Sequence, residues 1–204
     1  MADPHFYYCI EKKSTAEFTD RGSRFVAYAF PILSVEDFKT CLAEVKKIHP
    51  KASHYCFAYR LGQDSMTYRV SDAGEPSGSA GRPILGQIDS RSLTNTLVVV
   101  VRYFGGTLLG VPGLIHAYKS TASMALQMIP VMKKKIEIVY ELEFDYTVMN
   151  EVMMLVKKYE CAVLHQEQQL FSMFEIGIPV LAEDEVVKKM SVIKGVEIKK
   201  KAIR

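Results

Sequence analysis

The sequence predicts an α+β protein in two domains, residues 1–132 and 133–204. Three observations predict it. Strand pairs interleave with single amphipathic helices in the first part. One continuous apolar strand lies between two glycine-rich loops. After the lysine run Lys133–Lys135 the chain follows a β-α-β-β-α-β order.

Residues 5–11 and 24–32 read as strands joined by a polar turn around Thr19–Ser23, the second rich in Phe25, Val26, Tyr28 and Phe30. Ser34 is placed to cap a helix, with Asp37 three residues on as an Asp variant of the capping box. Val35, Phe38, Leu42, Val45 and Ile48 follow at helical spacing, and Pro50 stops the run. Residues 53–61 and 66–70 read as a strand pair turning at Gly62-Gln63-Asp64. The β-branched run Asn95–Val101 fits a strand covered on both faces. Pro112 marks the start of the next helix. Leu114, Tyr118, Ala122, Ala125 and Ile129 give that helix one apolar stripe, while His116, Lys119, Ser120, Ser123 and Gln127 occupy its other face.

Lys133–Lys135 reads as a linker. Beyond it come a strand at Ile136–Tyr146, a helix at Asn150–Tyr159, a strand pair at Ala162–Gln168 and Phe171–Val180, a helix at Glu183–Ile193 and a strand at Gly195–Lys201. That is the order of a ferredoxin-like split βαβ unit, a scaffold that serves enzymes, RNA binders and connectors alike.

The chain is long enough to bury a core in each part, and its 49% apolar and 24% charged residues are ordinary globular composition. No membrane-spanning run or secretory signal is read from it. Four scattered cysteines fit structural thiols in a reducing cytoplasm. The net charge of +3 falls wholly in residues 1–132, too small to prove a nucleic-acid partner yet compatible with a local basic patch.

Residues 71–118 concentrate the chemistry. The loop after Phe104 leads into a helix start, where free N–H groups and the positive dipole end favour an anion. Arg102, Arg82 and Lys119 could add charge there. In the opposing reading the glycines only permit tight turns, and the arginines pair with Asp72 and Glu75. Asp72 and Glu75 also suit acid–base or metal chemistry, although Asp early in a turn and Glu before Pro are common structural choices. His54 and Cys56 share one strand face, as a reactive pair or as core. Tyr55, Tyr59, Tyr103 and Phe104 stack bases if exposed and pack if not. The lysines at 133–135 and 199–201 track phosphates or form a solvated linker and tail.

The central motifs resemble those of the IMPACT/YigZ family, small proteins associated with translation. The matching residues are His54-x-Cys56-x-Ala58-Tyr59-Arg60, the Ser71–Pro83 loop, Arg102-Tyr103-Phe104-Gly105-Gly106 with Leu109-Gly110, then Gly113-Leu114 and Ala117-Tyr118. Gly22-Ser23-Arg24-Phe25 is a weaker match. The resemblance implies a first domain with the fold shared by a domain of elongation factor G and a small-subunit ribosomal protein. The second would resemble the ferredoxin-like domain beside it in that factor. It implies non-enzymatic binding to RNA or the ribosome that modulates translation in the cytoplasm, with no cofactor, no metal and no DNA sequence specificity. The candidate anion- and nucleic-acid-binding residues are Arg60, Asp72, Glu75, Arg82, Arg102, Tyr103, Gly105, Gly106, Gly110, Gly113, His116 and Lys119. A protein partner through the second domain is a further expectation. The alternative is a hydrolase or phosphoryl transferase acting on a phosphorylated small molecule or peptide with Asp72 and Glu75. Three positions depart from the family pattern: Pro112 stands for a usual Gly, His116 for a usual Arg and Ser79 for a common Thr. If that Arg meets phosphate, His116 weakens binding or shifts it to lower pH.

Overall fold

The chain divides at Lys134: Tyr7–Lys134 form one unit, and the chain from Lys135 onward, with His5 and Phe6, forms the other. The computed structural model describes residues 5–168 and 172–203. The first unit and its borders run β1 (Phe6–Cys9), β2 (Ser14–Asp20), β3 (Ser23–Pro31), α1 (Val35–Ile48), β4 (His54–Leu61), β5 (Thr67–Ser71), α2 (Gly81–Asp89), β6 (Thr96–Tyr103), α3 (Gly110–Gln127) and β7 (Met132–Lys135).

Five strands form an antiparallel sheet in the order β2-β3-β6-β4-β5. The apolar run Leu97–Val101 is fully buried in the middle strand because both sheet faces are covered. Val98 and Val100 join Ala27, Ala29, Cys56 and Ala58 under α2 and α3. Leu97, Val99 and Val101 join Phe57 and Tyr59 under Phe38 and Val45 of α1. Period-2 alternation then puts Arg102 on the α2/α3 face and Tyr103 on the α1 face. The capping box forms as read: Ser34 Oγ accepts from the Asp37 amide, and Asp37 Oδ2 accepts from the Ser34 amide at 3.0 Å.

Several elements differ from the sequence reading. Residues 14–20 are a strand, missed because Ala16 and Phe18 alone among polar neighbours pack on the core. The turn narrows to Arg21-Gly22, both at positive φ (45° and 80°), as a two-residue type I′ hairpin requires. Lys133–Lys135 is no linker: it lies in β7, which pairs with β1. A helix forms at 81–89 within what reads as a glycine loop, and α3 starts at Gly110, two residues before Pro112.

The second unit contains β8 (Glu137–Phe144), α4 (Met149–Lys158), β9 (Ala162–Gln168), β10 (Ser172–Pro179), α5 (Glu183–Val192) and β11 (Val196–Ile203). Its sheet order is β11-β8-β10-β9, all antiparallel. Leu142, Phe144, Phe174 and Ile176 pack with Val152, Val156, Val186 and Met190. Phe171, read as a strand residue, lies outside the described residues. The α+β class holds. No helix among the described residues is long and apolar enough to cross a membrane.

Candidate functional site

Register sets the site. Arg102 lies opposite Phe25 on one side and His54 on the other, at the end of the first sheet. Arg102 is only 5% exposed. Its Nη1 donates to Glu75 Oε1 at 2.8 Å, and the Tyr118 hydroxyl donates to the same oxygen at 2.8 Å. Its Nη2 donates to Ser23 Oγ at 3.3 Å. The guanidinium lies between the rings of Phe25 and Phe104, 5.5 and 5.6 Å from their centroids. Its Nε is buried and has no hydrogen-bond acceptor. A buried donor without an acceptor is a costly state that native structures rarely keep without a use.

Asp72 organises the Ser71–Pro83 loop. Its Oδ2 accepts from the Gly78 amide at 2.9 Å, and its Oδ1 from the amides of Ala80 and Gly81 at 3.0 and 2.8 Å. Ala80 offers α2 no side-chain cap, so Asp72 serves the helix start from the end of β5. Burial alone would raise the Asp72 pKa, but the three amides and nearby Arg82 outweigh it and hold the carboxyl below its ordinary 3.8. A depressed carboxylate contributes stability above the unfolded pKa and loses it as pH falls through the folded one. Thermal melts of Asp72→Asn should therefore lie below wild type at pH 7, and the gap should close as pH drops below 3.8. A gap unchanged to strongly acid pH would show that the charge is not what holds the loop.

Around this pair the chemistry is quiet. Cys56 Sγ meets the Asp72 carbonyl at 3.0 Å and the Tyr118 hydroxyl at 3.3 Å, and burial pushes its thiol up to about 12. Such a thiol is not a nucleophile near neutral pH. His54 Nδ1 is 2.9 Å from the Ala73 carbonyl, which fixes the proton there, and Nε2 faces Glu75 Oε1 at 3.9 Å. Among the described residues, no group of three or more His, Cys, Asp or Glu side chains could hold a metal ion.

Beside Arg102 opens a cleft of about 450 Å³, lined among others by Ser53, His54, Glu75, Phe104, Leu108 and Val111. One wall is the first turn of α3, which no side chain caps. The amides of Gly110 and Val111 remain there, while Pro112 contributes none. Gly106 and Gly110, with φ of 85° and 68°, steer the chain into that turn. Gly113 follows within α3. Gly105 presses against the Arg21-Gly22 turn, and its amide donates to Ser23 Oγ at 3.2 Å.

The structure does not bring every expected residue here. Arg60 lies opposite Thr96, at the far end of β6 from Arg102, where its Nη2 donates to Asp89 Oδ2 at 3.1 Å and its Nη1 to the Ser65 carbonyl at 2.7 Å. Tyr103 faces the other side of the sheet, with its hydroxyl 2.7 Å from His49 Nδ1 and its ring under Arg24. His116 and Lys119 line a separate groove of about 340 Å³ with Gln87 and Ser123. Arg82 is exposed on the first turn of α2, near Asp72. The site has two members the sequence reading did not assign to it, Ser23 and Tyr118. A phenol on an otherwise apolar buried stripe was the available signal, since a buried hydroxyl needs a partner.

Fold and cleft together define a class, a two-unit α+β protein built on an Impact N-terminal domain, whose family model matches residues 21–126. An IMPACT family member of Haemophilus influenzae is 36% identical over 160 residues, covering 78% of each chain. IMPACT family member YigZ of Escherichia coli is 31% identical over 173 residues, covering 84% of this chain and 85% of its own. A crystal structure described as a hypothetical protein superposes with a TM-score of 0.74 at 28% identity, covering 98% of each chain. The chain belongs to the IMPACT family.

Proposed function

We propose that this protein is a non-enzymatic binding protein that engages single-stranded RNA, free or on the ribosome, and modulates translation in the cytoplasm. The observation that carries the reading is the unpartnered Arg102 Nε together with the uncapped start of α3, donors that an anion would satisfy. Exposed cations flank the cleft. Arg21 is in the turn that touches Gly105, and Lys51 lies just before Ser53, whose amide donates to the Arg102 carbonyl at 2.8 Å. The sheet order β11-β8-β10-β9 supports a ferredoxin-like second domain; the elongation-factor-like domain pair and a protein partner on the second domain belong to the proposal by resemblance alone. The enzymatic alternative lacks a pair of free carboxylates: Asp72 is held through both oxygens by three amides, and Glu75 is tied through Oε1 to Arg102 and Tyr118.

Affinity for a single-stranded RNA, read by fluorescence anisotropy, should fall steeply with salt. The double variant Arg21→Ala/Lys51→Ala should bind more weakly and flatten the log–log salt slope by about one to two, near one per lost phosphate contact. A wild-type affinity indifferent to salt, or an unchanged slope in the variant, would overturn the assignment.

A further inference from the structure

We infer that the cleft seats one unpaired nucleobase of an RNA strand, stacked on Phe104, with its phosphate between Arg102 Nε and the start of α3. The inference rests on the RNA-binding reading and adds what the cleft selects.

A site for phosphate alone needs donors and no apolar walls. This cleft has the walls: Phe104, Leu108, Leu109, Val111 and Leu114 surround its polar floor. Phe104 is 50% exposed and Leu108 82%, beside a buried guanidinium. Apolar side chains exposed together around a few polar groups mark a ligand surface. The volume of about 450 Å³ falls in the range of sites for small organic groups.

The other aromatics are occupied. Tyr59 is buried under α1, Tyr55 donates its hydroxyl to the His49 carbonyl, and Tyr103 bonds the His49 ring. Phe104 alone of the four is exposed, at 50%. Base stacking on an exposed ring tolerates any base, whereas a duplex hides its bases from it.

The floor supplies polarity of both signs. Phe104 lies over Arg102, whose buried Nε awaits an acceptor. A phosphate oxygen reaching Nε, as the Phe104 ring turns onto the base, supplies it. Glu75 commits Oε1 to Arg102 and Tyr118, while no hydrogen bond holds its Oε2 among the described residues. That oxygen accepts from an exocyclic amino group, so cytosine suits the seat better than uracil.

The test measures anisotropy of wild type, Phe104→Ala and Phe104→Tyr with a cytidine heptamer, a uridine heptamer and an abasic heptamer. Wild type should hold the cytidine strand about tenfold or more tighter than the abasic one, with the uridine strand between. Phe104→Ala should erase that preference, and Phe104→Tyr, which keeps the ring, should retain it. Both substitutions alter a half-exposed side chain and leave the core intact. Equal wild-type binding of the natural and abasic strands overturns the base seat and leaves the anion reading standing. Binding of no strand overturns both. Cytidine 5′-monophosphate binding as tightly as its heptamer overturns the strand as ligand.

Discussion

Glu75→Ala is expected to lower the melting temperature of the first unit by about 10–25 °C. The figure follows from a loss of about 3–5 kcal/mol when one partner of a buried ion pair is removed. Glu75 and Arg102 are both nearly inaccessible and meet at 2.8 Å. Removing the carboxylate leaves a guanidinium between two phenyl rings with Ser23 Oγ as its one side-chain hydrogen-bond partner, and takes the acceptor from the Tyr118 hydroxyl as well. Glu75→Gln should fall between Ala and wild type, because the amide oxygen still accepts from Tyr118 while the charge goes uncompensated. The double replacement Glu75→Leu/Arg102→Met separates stability from binding. Apolar residues of similar volume often replace a buried ion pair at little cost, so the double variant should melt far above Glu75→Ala. It should still lose RNA affinity, since the donor at the cleft floor is gone. Calorimetry of the three variants checks the first claim and anisotropy the second. A Glu75→Ala protein melting within about 3 °C of wild type would mean that Arg102 finds water, contrary to its burial.

What the sequence made legible here follows the range of the interactions. The Ser34–Asp37 capping box is local, three residues apart, and forms as read. The run Leu97–Val101 announces a strand covered twice, because no other environment suits five consecutive large apolar side chains in a strand of that length. The glycines clustered at 105–113 mark the loop that leads into the cleft wall, where Gly110 lines it, for a similar local reason. The rest depends on pairing. Arg60 and Arg102 look alike in sequence, each a cation on a strand beside glycine loops. Only the antiparallel register of β4 on β6 reveals that His54 meets Arg102 while Arg60 meets Thr96 at the opposite end. Tyr103 follows Arg102 directly and so faces away from it, a matter of strand parity that a motif of consecutive letters conceals. Asp72 caps a helix beginning nine residues downstream, and neither spacing nor residue type distinguishes that duty from acid–base chemistry. β2 escaped because an edge strand with two inward apolar residues carries almost no periodic signal.

Gly105→Ala should cost the first unit about 3 kcal/mol or more, the upper end of what overpacking does. A β-carbon there would stand 1.9 Å from the Gly22 carbonyl carbon, 2.1 Å from its oxygen and 2.2 Å from the Ser23 nitrogen. All three are backbone atoms of a hairpin turn fixed by two positive φ angles, so no flexible side chain can yield. Relief requires parting the loop from the turn, which breaks the Gly105 amide bond to Ser23 Oγ and disturbs the hydroxyl that also receives Arg102 Nη2. Gly106→Ala adds the same methyl one residue on. Nothing lies within 4 Å of a β-carbon there, and the cost reduces to holding an alanine at φ 85°, about 1–2 kcal/mol. Denaturant unfolding of the pair should rank Gly105→Ala well below Gly106→Ala. Equal losses would mean that the turn does not clamp the loop. If the clamp is real, RNA affinity should fall further in Gly105→Ala than in Gly106→Ala even under conditions where both are folded, because the turn that carries Arg21 is held against the loop that carries Phe104 into the cleft.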